Sequence, residues 1–354
     1  MHDPSRILVV RTDRLGDVVL TLPLLPILRN RFPDAYIAML VSSYAGGIVE
    51  GHPALNEHLT YDKEGARIPM GAMVSRLREG RFDTAVVVHP TARLALLIWL
   101  ARIPVRIGSG YRWYSVLFNR RVYTHRKTAE RHELEYNLEL LDRLGCTTRG
   151  VPPQFTIPVP AEAHRRVNEL LAGHGIEEKA RLAVVHPGSG GSAREWPLES
   201  FGGLARILID VHGMEVIVTG SPNESEQARS VVAATQERAH NLAGMLGLKE
   251  LASLLGRSSL LVGNSTGPLH MAVAMGTPVL GFYPQIPVMG PRRWGPYTER
   301  ARVLVPDRPV DCSECKSVRG RSCSCMASIT VDAAAAAVAE LLSTVVPHPA
   351  LHGT

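Results

Sequence analysis

Leu260-Leu261-Val262-Gly263-Asn264-Ser265-Thr266-Gly267-Pro268-Leu269-His270 changes character twice within one short stretch. Its apolar opening reads as a strand, residues 263–267 as a tight polar turn, and the small-residue run 271–276 as the body of a helix that begins near Pro268. A helix N-terminus carries roughly half a positive charge and N–H groups without intrahelical partners. Hydroxyls, a glycine and a histidine gathered there make a seat for an anion such as a phosphate. A strand that enters a helix through a polar turn is also the repeating unit of α/β architecture.

The rest of the chain repeats that unit in two series. The first opens with Ile7-Leu8-Val9-Val10, an all-apolar run of the kind a buried parallel strand shows. A polar turn, residues 11–16, leads to a helix from Asp17. Strands follow at 35–41 and 84–89, with helices at 70–79, 92–100 and 129–144, the last ended by Gly145. Pro152, Pro153, Pro158 and Pro160 mark a linker. The second series places strands at 182–186, 215–219, 260–262 and 279–283, and helices from Pro197, from Glu224, at 248–255 and after Pro268. Pro197 suits a first helical turn, where its missing N–H costs nothing. An alanine-rich helix at 331–342 closes the chain. The expected fold is α/β: two facing, doubly wound Rossmann-like domains, residues 1–155 and 156–330, followed by a closing helix and tail, 331–354. Ligands of such sheets sit at the carboxyl ends of the strands, here in an interdomain cleft.

The chain has 354 residues, enough for about two domains. No apolar run approaches the ~20 residues of a membrane span, and four apolar residues before Arg11 are too few for a secretory signal, so the expected location is cytoplasmic. The net charge of +6 is uneven. Residues 1–150 hold 21 Lys and Arg against 15 Asp and Glu, and the remainder holds 18 of each. The excess concentrates in Arg102, Arg106, Arg112, Arg120, Arg121, Arg126, Lys127 and Arg131, which face Glu130 and interleave with Tyr111, Trp113, Tyr114 and Phe118. Such a segment suits an anionic partner (nucleic acid, lipid head group or charged sugar) or is a solvated surface loop. Cys146 stands alone, while Cys312, Cys315, Cys323 and Cys325 cluster. In a cytoplasmic protein that cluster reads as a structural site for zinc or another thiophilic metal, or as free or redox-labile thiols.

Each polar turn has a bland and a chemical reading. Asp17 is a helix N-cap or a general base. The Gly/Ser-rich loop 186–197 offers backbone N–H groups and one fixed cation, Arg194, to an anion. It is neither a Walker loop nor a dinucleotide fingerprint. Glu224 accepts from a ribose diol or favours a helix start. His270 is a packed first-turn residue or a diphosphate contact. No Asp-x-Asp occurs in the chain, so fixed cations and helix dipoles, rather than a metal, are expected to hold a diphosphate.

Taken together, Arg11…Gly16-Asp17-Val18, His186-Pro187-Gly188-Ser189…Arg194-x-Trp196-Pro197 and Asn264-Ser265-Thr266-Gly267-Pro268-x-His270 resemble family nine of the glycosyltransferases, the ADP-heptose:lipopolysaccharide heptosyltransferases. The similarity runs over essentially the whole chain and includes Cys325-Met326-x-x-Ile329-Thr330. It implies a GT-B fold with the acceptor on the first domain and the nucleotide sugar on the second, and inverting, metal-independent transfer with no cofactor. Asp17 matches the family's catalytic carboxylate. Gly188, Ser189 and Arg194 match donor contacts, Glu224 the ribose acid, Leu246 an apolar contact to adenine, and Thr266, Gly267 and His270 contacts to the donor diphosphate. Ser265 stands where many members have Asp, and Arg194 replaces Lys with a planar fork. Arg106, Arg112, Arg120 and Arg121 are expected to hold an anionic, lipid-linked acceptor at the inner membrane surface. The competing readings are the same fold with another nucleotide sugar or acceptor, a nucleotide-sugar epimerase, and a nucleic-acid-binding protein. In the heptosyltransferase reading no nucleic acid is expected as a partner.

Overall fold

A computed structural model describes residues 3–307 and 324–344. The chain divides into two units, Met1–Pro158 and Val159–Thr354. In the first, β1 (Arg6–Val10), β2 (Tyr36–Val41), β3 (Glu57–Thr60), β6 (Thr84–Val87), β7 (Val105–Ser109) and β8 (Arg120–Val122) form one parallel sheet in the order β3-β2-β1-β6-β7-β8, and β4 (Asp62–Lys63) and β5 (Ala66–Arg67) form a separate small hairpin. The second unit repeats the plan with β9 (Leu182–His186), β10 (Glu215–Val218), β11 (His240–Asn241), β12 (Leu260–Asn264), β13 (Val279–Phe282) and β14 (Ala301–Leu304), in the order β11-β10-β9-β12-β13-β14.

In each sheet the chain runs outward from the first strand, then returns to that strand's other side. The order reverses between β1 and β6 and between β9 and β12. At such a point the turns leaving the two central strands diverge, which opens a crevice at their carboxyl ends.

The central strands are continuous apolar runs because helices cover both faces of a parallel sheet. Ile7, Leu8, Val9 and Val10 are fully buried, as are Leu260, Leu261 and Val262. In the second unit Trp196 stacks on Phe282, with ring centroids 4.1 Å apart, and meets Phe201 edge-on. Its indole N–H donates to the Ile329 carbonyl at 2.8 Å. Ala334, Val338 and Leu341 of the closing helix, Val331–Thr344, join the same core.

Two strands lie where charge hid them. β7 and β8 fall inside the arginine-rich segment. Ile107 and Val122 are buried, while Arg106, Arg120 and Arg121 occupy half-exposed positions. The helix expected at 129–144 is an α-helix over Glu133–Leu138 that tightens to a 3-10 helix over Glu139–Leu144. Gly145 ends it in the left-handed region at φ 70°, which suits a residue without a Cβ.

Candidate active site

The first candidate centre follows β1. The backbone of Arg11 still pairs as an extra strand residue, donating its N–H to the Leu40 carbonyl at 3.0 Å. The chain then turns into a short helix, Leu15–Val19, and Asp17 lies inside it. The N-cap is Arg14, so the capping reading of Asp17 does not hold. The Asp17 carboxylate instead accepts from a guanidinium N–H of Arg11, and both side chains are buried.

Arg11 holds three carboxylates at once. Its Nε donates to Asp13 Oδ1 at 2.7 Å, one terminal nitrogen meets Asp17, and the other lies 3.5 Å from Glu133 Oε1 and 3.3 Å from Asn137 Oδ1. Glu133 and Asn137 stand one turn apart on the helix Glu133–Leu138 and so face the same way. Arg126 forms a second ion pair with Glu133. Asp13 Oδ2 lies 2.7 Å from Nδ1 of His89, which follows β6 across the point where strand order reverses.

This packing separates the two aspartates electrostatically. Burial pushes the Asp17 carboxyl up to about 6 against the pull of Arg11, and Asp13 and Glu133 add to the rise. Burial also opposes ionisation of Asp13, but Arg11 and the His89 hydrogen bond outweigh it and hold that carboxyl near 2. Two carboxylates whose environments drive them apart are a recurrent arrangement for acid–base chemistry. Asp17 is the member that exchanges a proton close to neutral pH.

The second candidate centre lies at the carboxyl ends of β9 to β12. Asn264, the last residue of β12, clamps the loop that leaves β9. Its Oδ1 accepts from the Trp196 N–H at 2.9 Å, and its Nδ2 donates to the Pro187 carbonyl at 2.7 Å. Within the loop, Ser189 Oγ donates to Glu195 at 2.6 Å and accepts from the Gly191 N–H at 3.2 Å. Arg194 is buried just before the anchored Trp196. His186 Nδ1 meets Thr219 Oγ1 at 3.0 Å, and burial holds the imidazole below its usual range.

Glu224 ties this loop to the turn after β10. It accepts from the Gly190 N–H at 2.9 Å and from the N–H and hydroxyl of Ser221 at 2.8 and 2.7 Å, closing a capping box. Burial works against ionisation here, but these donors and His186 hold the carboxyl below its ordinary value. A carboxylate has about four acceptor positions, and Gly190 and Ser221 engage three of them. A Cβ added at Gly188 would lie 2.2 Å from Glu224 Oε1, so the carboxylate and the loop approach too closely for any side chain there. Gly188→Ala is expected to displace Glu224 and cost about 1–3 kcal/mol, the usual penalty of overpacking. Thermal unfolding of the variant, with and without nucleotide, measures it.

Thr266 is the N-cap of the helix Gly267–Ala274, but its hydroxyl turns back to the Asn264 carbonyl at 3.3 Å rather than to the first-turn N–H groups. Buried His270 lies in that first turn, and Ser265 and Gly267 are partly exposed beside it. Leu246 is half-buried in the turn after β11. In sheet order the second unit therefore presents Leu246, then Glu224, then Gly188, Ser189 and Arg194, then Ser265 to His270, each after its own strand. With strands about 4.8 Å apart, that row spans about 14 Å.

The model of glycosyltransferase family 9 (heptosyltransferase) matches residues 70–321. The chain belongs to glycosyltransferase family 9. It is similar to lipopolysaccharide heptosyltransferase 2 of Escherichia coli K12, at 27% identity over 311 residues, 84% of this chain and 87% of that protein. It superimposes on the crystal structure of the family 9 glycosyltransferase from Veillonella parvula DSM 2008 with a TM-score of 0.83 at 25% identity, covering 97% of this chain and 98% of the other. The structure of E. coli ADP-heptose lipopolysaccharide heptosyltransferase II matches with a TM-score of 0.77 at 23% identity, covering 96% and 98%. The protein is a glycosyltransferase with the GT-B fold.

Three of the four arginines expected to hold an acceptor hydrogen-bond to backbone carbonyls in this family 9 enzyme. Arg106 donates through Nε to the Leu117 carbonyl at 2.7 Å and through a terminal nitrogen to the Ile103 and Pro104 carbonyls at 2.7 and 3.3 Å. Arg121 donates to the Phe118 and Val116 carbonyls at 3.0 and 3.4 Å, and Arg120 to the Arg143 carbonyl at 2.8 Å. These carbonyls lie in the segments beside β7 and β8, including the 3-10 helices Trp113–Leu117 and Glu139–Leu144, and a guanidinium fork can satisfy them. Arg112 is exposed. Cys312, Cys315 and Cys323 lie outside the described residues, and Cys325 is buried in the second core. Among the described residues no cluster of three His, Cys, Asp or Glu side chains could hold a metal ion, and no helix is long and apolar enough to cross a membrane.

Arg11, Asp13, His89 and Glu133 are the residues of the site that sequence reasoning passed over. The turn containing Arg11 and Asp13 was legible as a unit, but nothing in its spacing ties it to Glu133.

Proposed function

We infer that the enzyme is an inverting, metal-independent heptosyltransferase that moves a heptose from ADP-heptose to an anionic lipopolysaccharide-core acceptor. Its place is in the cytoplasm, at the surface of the inner membrane. The observation that carries this reading is the row at the carboxyl ends of β11, β10, β9 and β12. Leu246 takes the adenine, Glu224 the ribose diol through its remaining acceptor position, and Arg194 with the Thr266-Gly267-Pro268 helix start the diphosphate. The names of the E. coli relatives support a heptose donor activated by ADP.

In the reaction Asp17, ionised, takes the proton from the acceptor hydroxyl as that oxygen attacks the anomeric carbon. The bond from that carbon to the diphosphate oxygen breaks, and ADP leaves with the electron pair. Arg194 and the N-terminus of Gly267–Ala274 stabilise the charge that develops on ADP, a fixed electrostatic role that needs no reorganisation. Of Arg106, Arg112, Arg120 and Arg121, the exposed Arg112 is the one proposed to contact the anionic acceptor.

A panel of nucleotide sugars tests the donor assignment. ADP-heptose and ADP at about 100 times their dissociation constants are expected to raise the melting temperature by about 5 °C or more, because ligands of the native state stabilise it. UDP- and GDP-sugars are expected to leave it unchanged. Arg194→Gln removes a charge-assisted contact and is expected to weaken ADP-heptose binding about 10- to 100-fold. A larger shift with a UDP- or GDP-sugar would transfer the same row of residues to another donor.

A further inference from the structure

The first unit carries an apolar face that its own core does not use. Helix Ala92–Leu100 buries Leu94, Ala95, Leu97 and Ile98 and turns Leu96 and Trp99, three residues apart, to solvent. The 3-10 helix Trp113–Leu117 packs along it. Tyr114 and Leu117 point to the core, whereas Trp113 is 79% exposed and Val116 67%. Among the described residues, half of the twelve exposed large apolar side chains fall within residues 96–123. Exposed apolar surface gathered on two packed elements in this way marks an interaction site.

The charge around it selects the partner. Residues 84–129 contain eight Lys and Arg and no Asp or Glu. Arg112 adjoins Trp113, and Arg102, whose N–H donates to the Trp99 carbonyl at 2.9 Å, adjoins the other end of the patch; both arginines are exposed. Tryptophan at the surface, aliphatic side chains beside it and an exposed arginine at each end are the composition of a bilayer interface rich in anionic lipid. Leucine and valine beside the tryptophans add aliphatic surface that suits an acyl boundary better than the bases of a nucleic acid.

We propose that Leu96, Trp99, Trp113 and Val116, rimmed by Arg102 and Arg112, dock the enzyme on an anionic phospholipid bilayer. The patch is tied to the Asp17 centre through Tyr114, whose hydroxyl donates at 2.7 Å to the Pro90 carbonyl, next to His89. Docking through this face sets the helices that cover β6 and β7 against the membrane, with Trp113 on the side of the Asp17 centre, where a lipid-linked acceptor would present its hydroxyl. This step rests on the acceptor assigned above, but the docking itself does not.

Sedimentation with vesicles of phosphatidylcholine, alone and mixed with phosphatidylglycerol, tests it. The wild type is expected to pellet with the mixed vesicles and to be released by salt. The W99S/W113S double variant is expected to bind them about ten-fold more weakly while its melting temperature and its stabilisation by ADP-heptose stay as in the wild type. No vesicle binding by the wild type, equal binding by the variant, or a concentration-dependent dimer that the variant abolishes would each overturn the proposal. Loss of the ADP-heptose shift in the wild type, with vesicle binding intact, would instead count against the donor reading and leave the docking face standing.

Discussion

Asp17→Asn is expected to lower turnover about 10³-fold, within the 10²–10⁴ range that a positioned general base supplies, and to leave donor binding unchanged. The side chain keeps its shape, and Arg11 keeps Asp13 and Glu133, so the variant should fold. The pH profile gives a second, independent reading. Because burial, Asp13 and Glu133 together hold the Asp17 carboxyl up near 6, it is protonated and idle as a base below that pH and ionised above it. In the wild type, kcat/KM, which reports the free enzyme, should climb about ten-fold per pH unit on the acid side and level off above about 6. The asparagine variant should show a low rate with no limb there. Calorimetry with ADP-heptose separates chemistry from binding: retained turnover, or loss of turnover and donor binding in equal measure, would remove Asp17 from the role of base.

Sequence disclosed the two sheets unevenly, for physical reasons. β9 and β12 were legible because a parallel strand covered on both faces is an unbroken apolar run, and their turns were legible because glycines and hydroxyls crowd where a backbone must approach an anion. β7 and β8 were hidden because Arg106, Arg120 and Arg121 look like surface charge, whereas their guanidinium groups satisfy backbone carbonyl oxygens of the neighbouring segments. The edge strands β3 and β11 are short and polar. Asn264 read as a turn residue, but it is the clamp between β12 and the loop that leaves β9. Asp17 could be named from its turn. Glu133, one of the two charges that raise its pKa, could not, because its helix lies far along the chain: Asn137 of that helix is 126 residues from the Arg11 it contacts. Spacing carries local geometry, and a buried ion network is not local.

That network makes Arg11→Met the most disruptive single change expected in the first unit. Arg11 is fully enclosed, and Asp17, Asp13 and Glu133 hold its own pKa above the ordinary arginine value despite the burial that opposes it. Taking one partner from a buried ion pair costs about 3–5 kcal/mol, because the charge left behind has neither water nor a counterion. Here Asp13, Asp17 and Glu133 are all left facing one another, with Arg126 on Glu133 and His89 on Asp13 as the remaining relief. The loss should appear in denaturant unfolding of the first unit, while stabilisation by ADP, whose proposed seat is on the second, persists. Arg11→Lys keeps the charge but loses the fork that reaches three carboxylates at once, so it should recover part of the stability and little of the activity. The pH profile gives the sharper test. Arg11 is the main influence lowering the Asp17 pKa, against burial, Asp13 and Glu133, which raise it. Weakening that influence must move the acid limb of kcat/KM above pH 6, and adding Glu133→Gln to Arg11→Lys should move it back, since a raising charge has also gone. A purely structural role for Arg11 would lower the rate at every pH and leave the limb where it was.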